Sequence, residues 1–186
     1  MPPKARFTKE EIVAAAVSVV RKNGGSALTA RSLGTELGCS ARPIFGLFSG
    51  MDEVKSEVLN YADKLYKSYM KKECENSNYP TFKAMGLGYI RFSKEEPELF
   101  KFLFMRDRSK EKITEDKETT AQIVEAVQQA TGLSEDKAYL FYVENWIFAH
   151  GFASNFATGY VDISMDDISE MMTDIYEGLK ARYATK

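Results

Sequence analysis

The stretch that decides the fold runs from Thr29 to Phe48, TARSLGTELGCSARPIFGLF. It reads as a helix, a tight turn and a second short helix. Gly34 and Gly38 stand four residues apart. The first helix of such a unit needs a small residue where the second crosses it, and the turn needs a residue that tolerates unusual backbone angles. Glycine meets both needs. Leu33, Leu37, Ile44 and Phe48 supply apolar anchors between the two helices. A short helix projected from a helix-turn-helix fits the major groove of DNA.

The flanks are helical as well. Thr8 followed by Glu11 has the pattern of a capping box and predicts a helix start at Thr8. Ile12, Val13, Ala16, Val17 and Val20 follow at helical spacing, and Asn23-Gly24-Gly25 ends the run. Thr29 is the expected cap of the second helix, which stops at Gly38. Ser40 is the expected cap of the third, which continues to about Leu47 with Pro43 in its first turn. A long helix is expected to open at Ser49-Gly50-Met51-Asp52 and to reach about Glu75, before a break at Asn76–Pro80. Further helices are expected over about Thr81–Lys94 and Pro97–Met105. After a charged loop from Arg106 to Lys117, helix resumes to Ala130, then from Ser134 to about Gly159, then from Asp166 to Tyr183. No strands, repeats or low-complexity segments stand out. The expectation is an all-α fold with a three-helix DNA-binding head over residues 1–50 and a helical ligand-binding and dimerisation domain over residues 51–186.

Composition supports that division. The 186 residues carry a net charge of −2, which by itself argues against nucleic acid. Residues 1–50, however, hold seven Lys and Arg against three acids, a net of +4, and leave −6 to the other 136. A basic head on an acidic body suits a DNA reader with a separate regulatory domain. No apolar run approaches the ~20 residues that span a bilayer. The start, MPPKARFTKEE, has no apolar signal region, which predicts a cytoplasmic chain without a membrane partner. Cys39 and Cys74 lack metal-ligand spacing and read as reduced thiols. His150 is the only histidine; helix packing is its first reading and a polar contact to a ligand its second. No paired carboxylates, phosphate-binding loop, metal cluster or nucleophile–base pair appears, so no catalytic residue, no metal and no cofactor is expected, and the chain does not read as an enzyme.

The helix after Ser134 has two apolar faces. Phe141, Phe148, Phe152 and Phe156 share one, and Tyr139, Val143, Trp146, His150 and Ala153 share another. One face can serve the chain's own core while the other needs a partner. With the stripe Ile168, Met172, Ile175 and Leu179 on the last helix, this resembles half of an intersubunit four-helix bundle. The expected dimer interface is Phe141, Phe148, Phe152, Phe156, Ile168, Met172, Ile175 and Leu179.

These features together resemble the TetR family of bacterial transcriptional regulators, most strongly over residues 7–60. The matching residues are Ala14-Ala15-Ala16 and Gly24 of the first helix, then Thr29, Leu33, Gly38, Ser40, Ile44-Phe45 and Phe48, then Asp52-Glu53-Val54. Tyr89-Ile90-Arg91-Phe92, Glu96-Pro97-Glu98-Leu99-Phe100 and Trp146 with His150-Gly151 resemble a common effector-domain class of that family. The resemblance implies an all-α homodimer in which the first three helices bind DNA and the rest forms a ligand pocket and the dimer interface. Two positions depart from it. Phe45 stands where the family usually has a tyrosine, and Met51 where it usually has a lysine; both usual residues meet phosphate. Their loss removes one or two contacts of about 1 kcal/mol each. Arg42, Lys55 and the arm residues Lys4 and Arg6 are expected to offset it.

Arg42 is the expected base reader, because its two-pronged donor matches guanine O6 and N7; a phosphate contact is the alternative. Ser40, Ala41, Pro43, Phe45, Gly46 and Leu47 share the surface, and Thr29 and Arg31 are expected at phosphate with Lys55. The expected ligand residues are Tyr66, Tyr69, Met70, Met85, Tyr89, Phe92, Phe102, Met105, Tyr142, Asn145, Trp146 and His150, an apolar set with few polar groups. The function expected is a regulator, a repressor on the family resemblance, that binds a near-palindromic double-stranded operator as a homodimer and is released by a small-molecule effector. The alternative is a DNA-binding regulator without an effector, controlled by a protein partner or by its own abundance.

Overall fold

The computed structural model describes residues 7–107 and 117–184. Lys4 and Arg6 lie outside the described residues, as does most of the loop expected between Arg106 and Lys117. Every regular element among the described residues is helical. The chain divides into two compact units, one of Met1–Lys67 with Glu95–Arg106 and one of Ser68–Lys94 with Asp107–Lys186.

In the first unit, α1 (Lys9–Asn23) starts as its capping box dictates. Thr8 Oγ1 accepts from the Glu11 backbone N–H at 3.2 Å, and the Glu11 carboxylate accepts from the Thr8 N–H at 2.8 Å. The helix buries Ile12, Ala16, Val17, Val19 and Val20. Each of the isoleucine and valine side chains contributes roughly 1.5–3 kcal/mol when fully buried. Gly24 ends α1 at φ +80°, and a short 3-10 turn (Gly25–Ala27) leads to α2 (Ala30–Glu36). Phe102 of α5 (Pro97–Phe104) fills the space that a Gly25 side chain would need. Arg21 grips Glu96 through two hydrogen bonds of 2.8 and 2.6 Å, fastening α1 to the segment before α5. The N-terminal part of the 26-residue helix α3 (Met51–Asn76) completes this unit with buried Val54, Val58 and Ala62.

The second unit holds the end of α3, α4 (Thr81–Glu95), α6 (Lys117–Thr131), α7 (Glu135–Ala157) and α8 (Met165–Ala184). α4 lies backbone-to-backbone on the end of α3. A Cβ on Gly88 would come within 2.6 Å of Met70 Cα and 2.8 Å of the Tyr69 carbonyl oxygen. Arg91 then pairs with Glu73 at 3.0 Å across the same crossing. A second cluster joins Val124, Val127, Ala138, Phe141 and Tyr183, with Phe82, Tyr176 and Leu179 packed against it.

One expectation about α7 is corrected here. Phe141 and Ile168 are fully buried within the chain, Phe156 is buried, and Leu179 packs against the Phe141 cluster. Met172 fills the space beside Gly86 on α4, Ile175 is half-buried, and Phe148 and Phe152 pack edge-to-face at 4.9 Å. Phe141, Phe156 and Ile168 therefore belong to the chain's own core, while Phe148 and Phe152 stay half-buried. The apolar side chains that α7 exposes are Tyr139, Leu140, Trp146 and Ile147. A helix apolar on two sides does not declare from its pattern which side is inner.

Candidate nucleic-acid interface

The turn after α2 is built by its two glycines. A Cβ on Gly34 would lie 2.8 Å from the Cys39 carbonyl oxygen and 3.3 Å from Ser40 C, so only glycine lets the returning chain approach. Gly38 has open space around it but sits at φ +64°, which L side chains rarely adopt. The Cys39 N–H then donates to the Gly34 carbonyl at 2.9 Å. Thr29 caps α2 by accepting from the Ser32 N–H at 3.1 Å, and the Ser32 hydroxyl donates to the Ala27 carbonyl at 2.6 Å.

The helix expected from Ser40 to Leu47 is not a regular α-helix. The segment closes as bends and turns with one 3-10 turn, Ile44–Gly46, and Pro43 rather than Ser40 is its N-terminal boundary. Ile44 N–H bonds to Ala41 O at 3.1 Å and Leu47 N–H to Ile44 O at 3.0 Å, while only the Phe48 N–H reaches four back, to Ile44 O at 2.9 Å. Pro43 removes one donor and Gly46 weakens helical preference, which leaves this short segment without continuous i→i−4 bonding. Ile44 and Phe48 are buried and anchor the segment.

What this leaves outside is the expected surface. Thr29, Arg31, Ser40, Arg42, Phe45 and Gly46 are exposed, and Ala41, Pro43, Leu47 and Lys55 are half-exposed. The cations of this unit fall into two groups. Lys9 is held by Glu53 at 2.8 Å, Arg21 by Glu96, and Lys22 by Glu36 at 2.7 Å. The Arg31 and Arg42 guanidinium groups have neither a hydrogen bond nor an ion pair among the described residues. Lys55 meets only the fully exposed Asp52, at 3.7 Å. Among the described cations of residues 1–50, Lys9, Arg21 and Lys22 are engaged within the fold, while Arg31 and Arg42, with Lys55 beyond them, carry the more available charge. Sequence patterning missed Glu36, which accepts from both Ser18 and Lys22 at 2.7 Å and ties α2 to α1; no motif marks such a pairing across two helices.

The expected ligand residues fall in both units. Tyr66, Phe102 and Met105 belong to the first unit, where Tyr66 packs edge-on against Phe104 at 5.4 Å. The other nine belong to the second. There Tyr69 meets Phe92 at 5.6 Å, the Met70 backbone lies under Gly88, and Met85 is half-buried. Tyr142 packs on Phe82, and Asn145 donates to the Phe141 carbonyl at 2.8 Å. Tyr89 Oη lies 2.8 Å from His150 Nδ1, Trp146 stacks on the His150 ring at 5.3 Å, and burial holds the imidazole below its usual pKa. Among the described residues no three of His, Cys, Asp and Glu converge as a metal site would require, and no helix is long and apolar enough to cross a membrane.

Residues 82–177 match the model of the tetracyclin repressor-like C-terminal domain. The chain belongs to the TetR family. This TetR-family transcriptional regulator also shares its fold with solved structures. A protein of unknown function from Rhodococcus sp. RHA1 superposes with a TM-score of 0.74 at 18% identity, covering 97% of this chain and 100% of the other. A transcriptional regulator from Pseudomonas aeruginosa PAO1 gives 0.70 at 14% identity, with 98% of each chain covered. A TetR-like transcriptional regulator from Rhodococcus sp. RHA1 gives 0.68 at 12% identity, covering 95% of this chain and 96% of that one. No curated sequence matches significantly. At these identities the structural likeness concerns fold, and family membership rests on the matched C-terminal domain.

Proposed function

We propose that this TetR-family regulator is a repressor that binds a near-palindromic operator as a homodimer and releases it when a small-molecule effector binds. The observation that carries the DNA half is the pair Arg31 and Arg42, exposed beside the Gly34–Gly38 turn without an internal partner. Arg42 reads a base edge and Arg31 meets phosphate. Phe45, exposed at 49%, offers apolar contact to a sugar or a thymine methyl instead of the hydroxyl usual in the family. α3 runs unbroken through the boundary of the two compact units and is the element through which an effector would move the head. An effector acts only through its different affinity for the two states.

The dimer half is supported by what α7 and α8 leave uncovered. Ile147 is more than half exposed, and Gly151 lies one turn on, with nothing within 4 Å of its Cβ direction. On α8, Met171 is exposed and Gly178 is likewise open. An exposed glycine inside a helix costs roughly 0.5–1 kcal/mol relative to alanine, and a second helix approaching closely gives it a purpose.

Selection of binding sites from random duplex DNA at a fixed salt concentration tests the proposal. The expected result is an enriched near-palindrome whose recognition loosens at one base position in Arg42→Ala, by about 1–3 kcal/mol. Arg31→Ala is expected to weaken all sequences alike and to reduce the salt slope by about one. Weak binding without an enriched motif would overturn the reading. A regulator controlled by a protein partner is the second reading, favoured by one observation: α6 and α7 border an open groove with an apolar centre and acidic flanks.

A further inference from the structure

α6 and α7 meet in a groove of about 880 Å³ that opens to solvent. Its α6 wall is Ala121, Val124, Glu125 and Gln128, a face repeating every four residues; its α7 wall is Glu135, Asp136, Tyr139 and Leu140. Gly132, at φ +72°, turns the chain between the two walls. Val124 is buried in the core beneath, but Tyr139 is 42% and Leu140 51% exposed, a large apolar surface that the chain's own core leaves in water. Three carboxylates border it, and among the described residues no lysine or arginine lines it. Among the described residues Glu135 and Asp136 have no hydrogen-bond or ion-pair partner, and Glu125 has only a 3.4 Å contact from Gln129.

We propose that the α6–α7 groove is a docking site for a basic amphipathic helix of a protein partner. Two features select that occupant. The groove's apolar centre with acidic flanks complements a helix that presents aliphatic side chains on one face and lysine or arginine beside it, a mode in which anchors repeat every three or four residues. Like-charged partners are excluded by the same carboxylates. The α6 wall, Ala121 to Gln128, spans about two helical turns at 1.5 Å per residue, the length that one short helix engages. A small molecule in so open a groove would keep much of its surface in water, unlike the ligands of enclosed sites. The inference gives the second reading above its partner chemistry, and it stands or falls independently of operator binding.

The test uses the full chain and a synthetic amphipathic helix of about 14 residues, leucine on one face and lysine on the other, with a leucine–glutamate peptide of identical apolar face. Binding is measured by titration and mapped by hydrogen exchange. The expected result is saturable binding of the lysine peptide that protects residues 120–128 and 135–140, with the glutamate peptide weaker by at least about tenfold. The triple variant Glu125→Gln, Glu135→Gln, Asp136→Asn is expected to lose about the same factor, and Leu140→Ser to weaken binding at unchanged helicity. The control pair Glu170→Gln and Asp174→Asn on α8 is expected to change nothing. Equal losses in the triple variant and the control would show general charge attraction and overturn the proposal. Absence of saturable binding would overturn it as well. So would protection of the groove in the protein alone, lost on dilution to monomer, because the occupant would then be a second copy. Operator affinity measured on the same triple variant keeps failure of this site separate from failure of the DNA reading.

Discussion

Gly34 and Gly38 are both glycine for different reasons, and substitution separates them. Gly38→Ala meets no atom and pays only for its left-handed backbone, about 1–2 kcal/mol. Gly34→Ala places a Cβ 2.8 Å from a carbonyl oxygen that belongs to the turn backbone. It is expected to cost about 1–3 kcal/mol and to displace Ser40 and Arg42 as well. Urea unfolding midpoints give the two costs, and operator titration distinguishes them: affinity is expected to fall more in Gly34→Ala. Glu53 offers a pH-dependent counterpart at the start of α3. Its carboxylate accepts from Lys9 at 2.8 Å and from the Ser49 backbone and hydroxyl at 2.7 and 2.9 Å, which holds its pKa down to about 2 from an ordinary 4.5. The unfolded chain therefore binds the proton first. Stabilisation from this group is full above pH 4.5 and drains away as pH falls toward 2. Glu53→Gln is expected to lower stability at neutral pH and to flatten the acid limb within that window, read from thermal melts across pH.

Helix starts and stops were legible wherever they depend on neighbouring residues. The Thr8–Glu11 box, the Thr29 cap and the Gly24 stop all act over three or four positions, and each is present. The recognition segment was legible in its anchors, Ile44 and Phe48, but not in its conformation, because Pro43 and Gly46 remove helical bonding that periodicity takes for granted. The inner face of α7 was not legible at all: Phe141 and Trp146 belong to equally apolar stripes, and only packing against α6 and α8 turns Phe141 inward and leaves Trp146 46% exposed. Close helix crossings are similarly hidden. Gly88→Ala would push backbone against backbone at the α3–α4 crossing and is expected to destabilise by at least ~2 kcal/mol. Gly86→Ala, two residues away, meets only the flexible end of Met172 and is expected to cost less than about 1 kcal/mol or to stabilise α4. Calorimetric melts of the two single variants compare them directly.

At the scale of the molecule, the all-α architecture followed from uninterrupted helical patterning, whereas the grouping of residues did not. Glu95–Arg106 joins the N-terminal compact unit through Arg21–Glu96 and the Phe102–Gly25 contact, pairings that span more than seventy residues of sequence. The twelve expected ligand residues were chosen for apolar character, which does not distinguish a pocket wall from a core; three fall in the first unit and nine in the second. Self-association is testable on the exposed stripe. Ile147→Glu is expected to convert a dimer to a monomer in sedimentation velocity while leaving the helical spectrum unchanged, since Ile147 is 58% exposed in the single chain. A Gly151→Leu change is expected to weaken the dimer by bulk alone.

The 3-10 turn at Ile44–Gly46 has a calorimetric consequence. A segment held by so few hydrogen bonds has order left to gain, and gaining it on the operator proposed above is the expected outcome. Association with the selected sequence should then carry a heat-capacity decrease larger than its buried apolar area supplies, while association with random sequence should lack the excess. Discrimination between the two would thereby vary with temperature along a curve, not a line, and its optimum would be set by three residues, Ile44, Phe45 and Gly46.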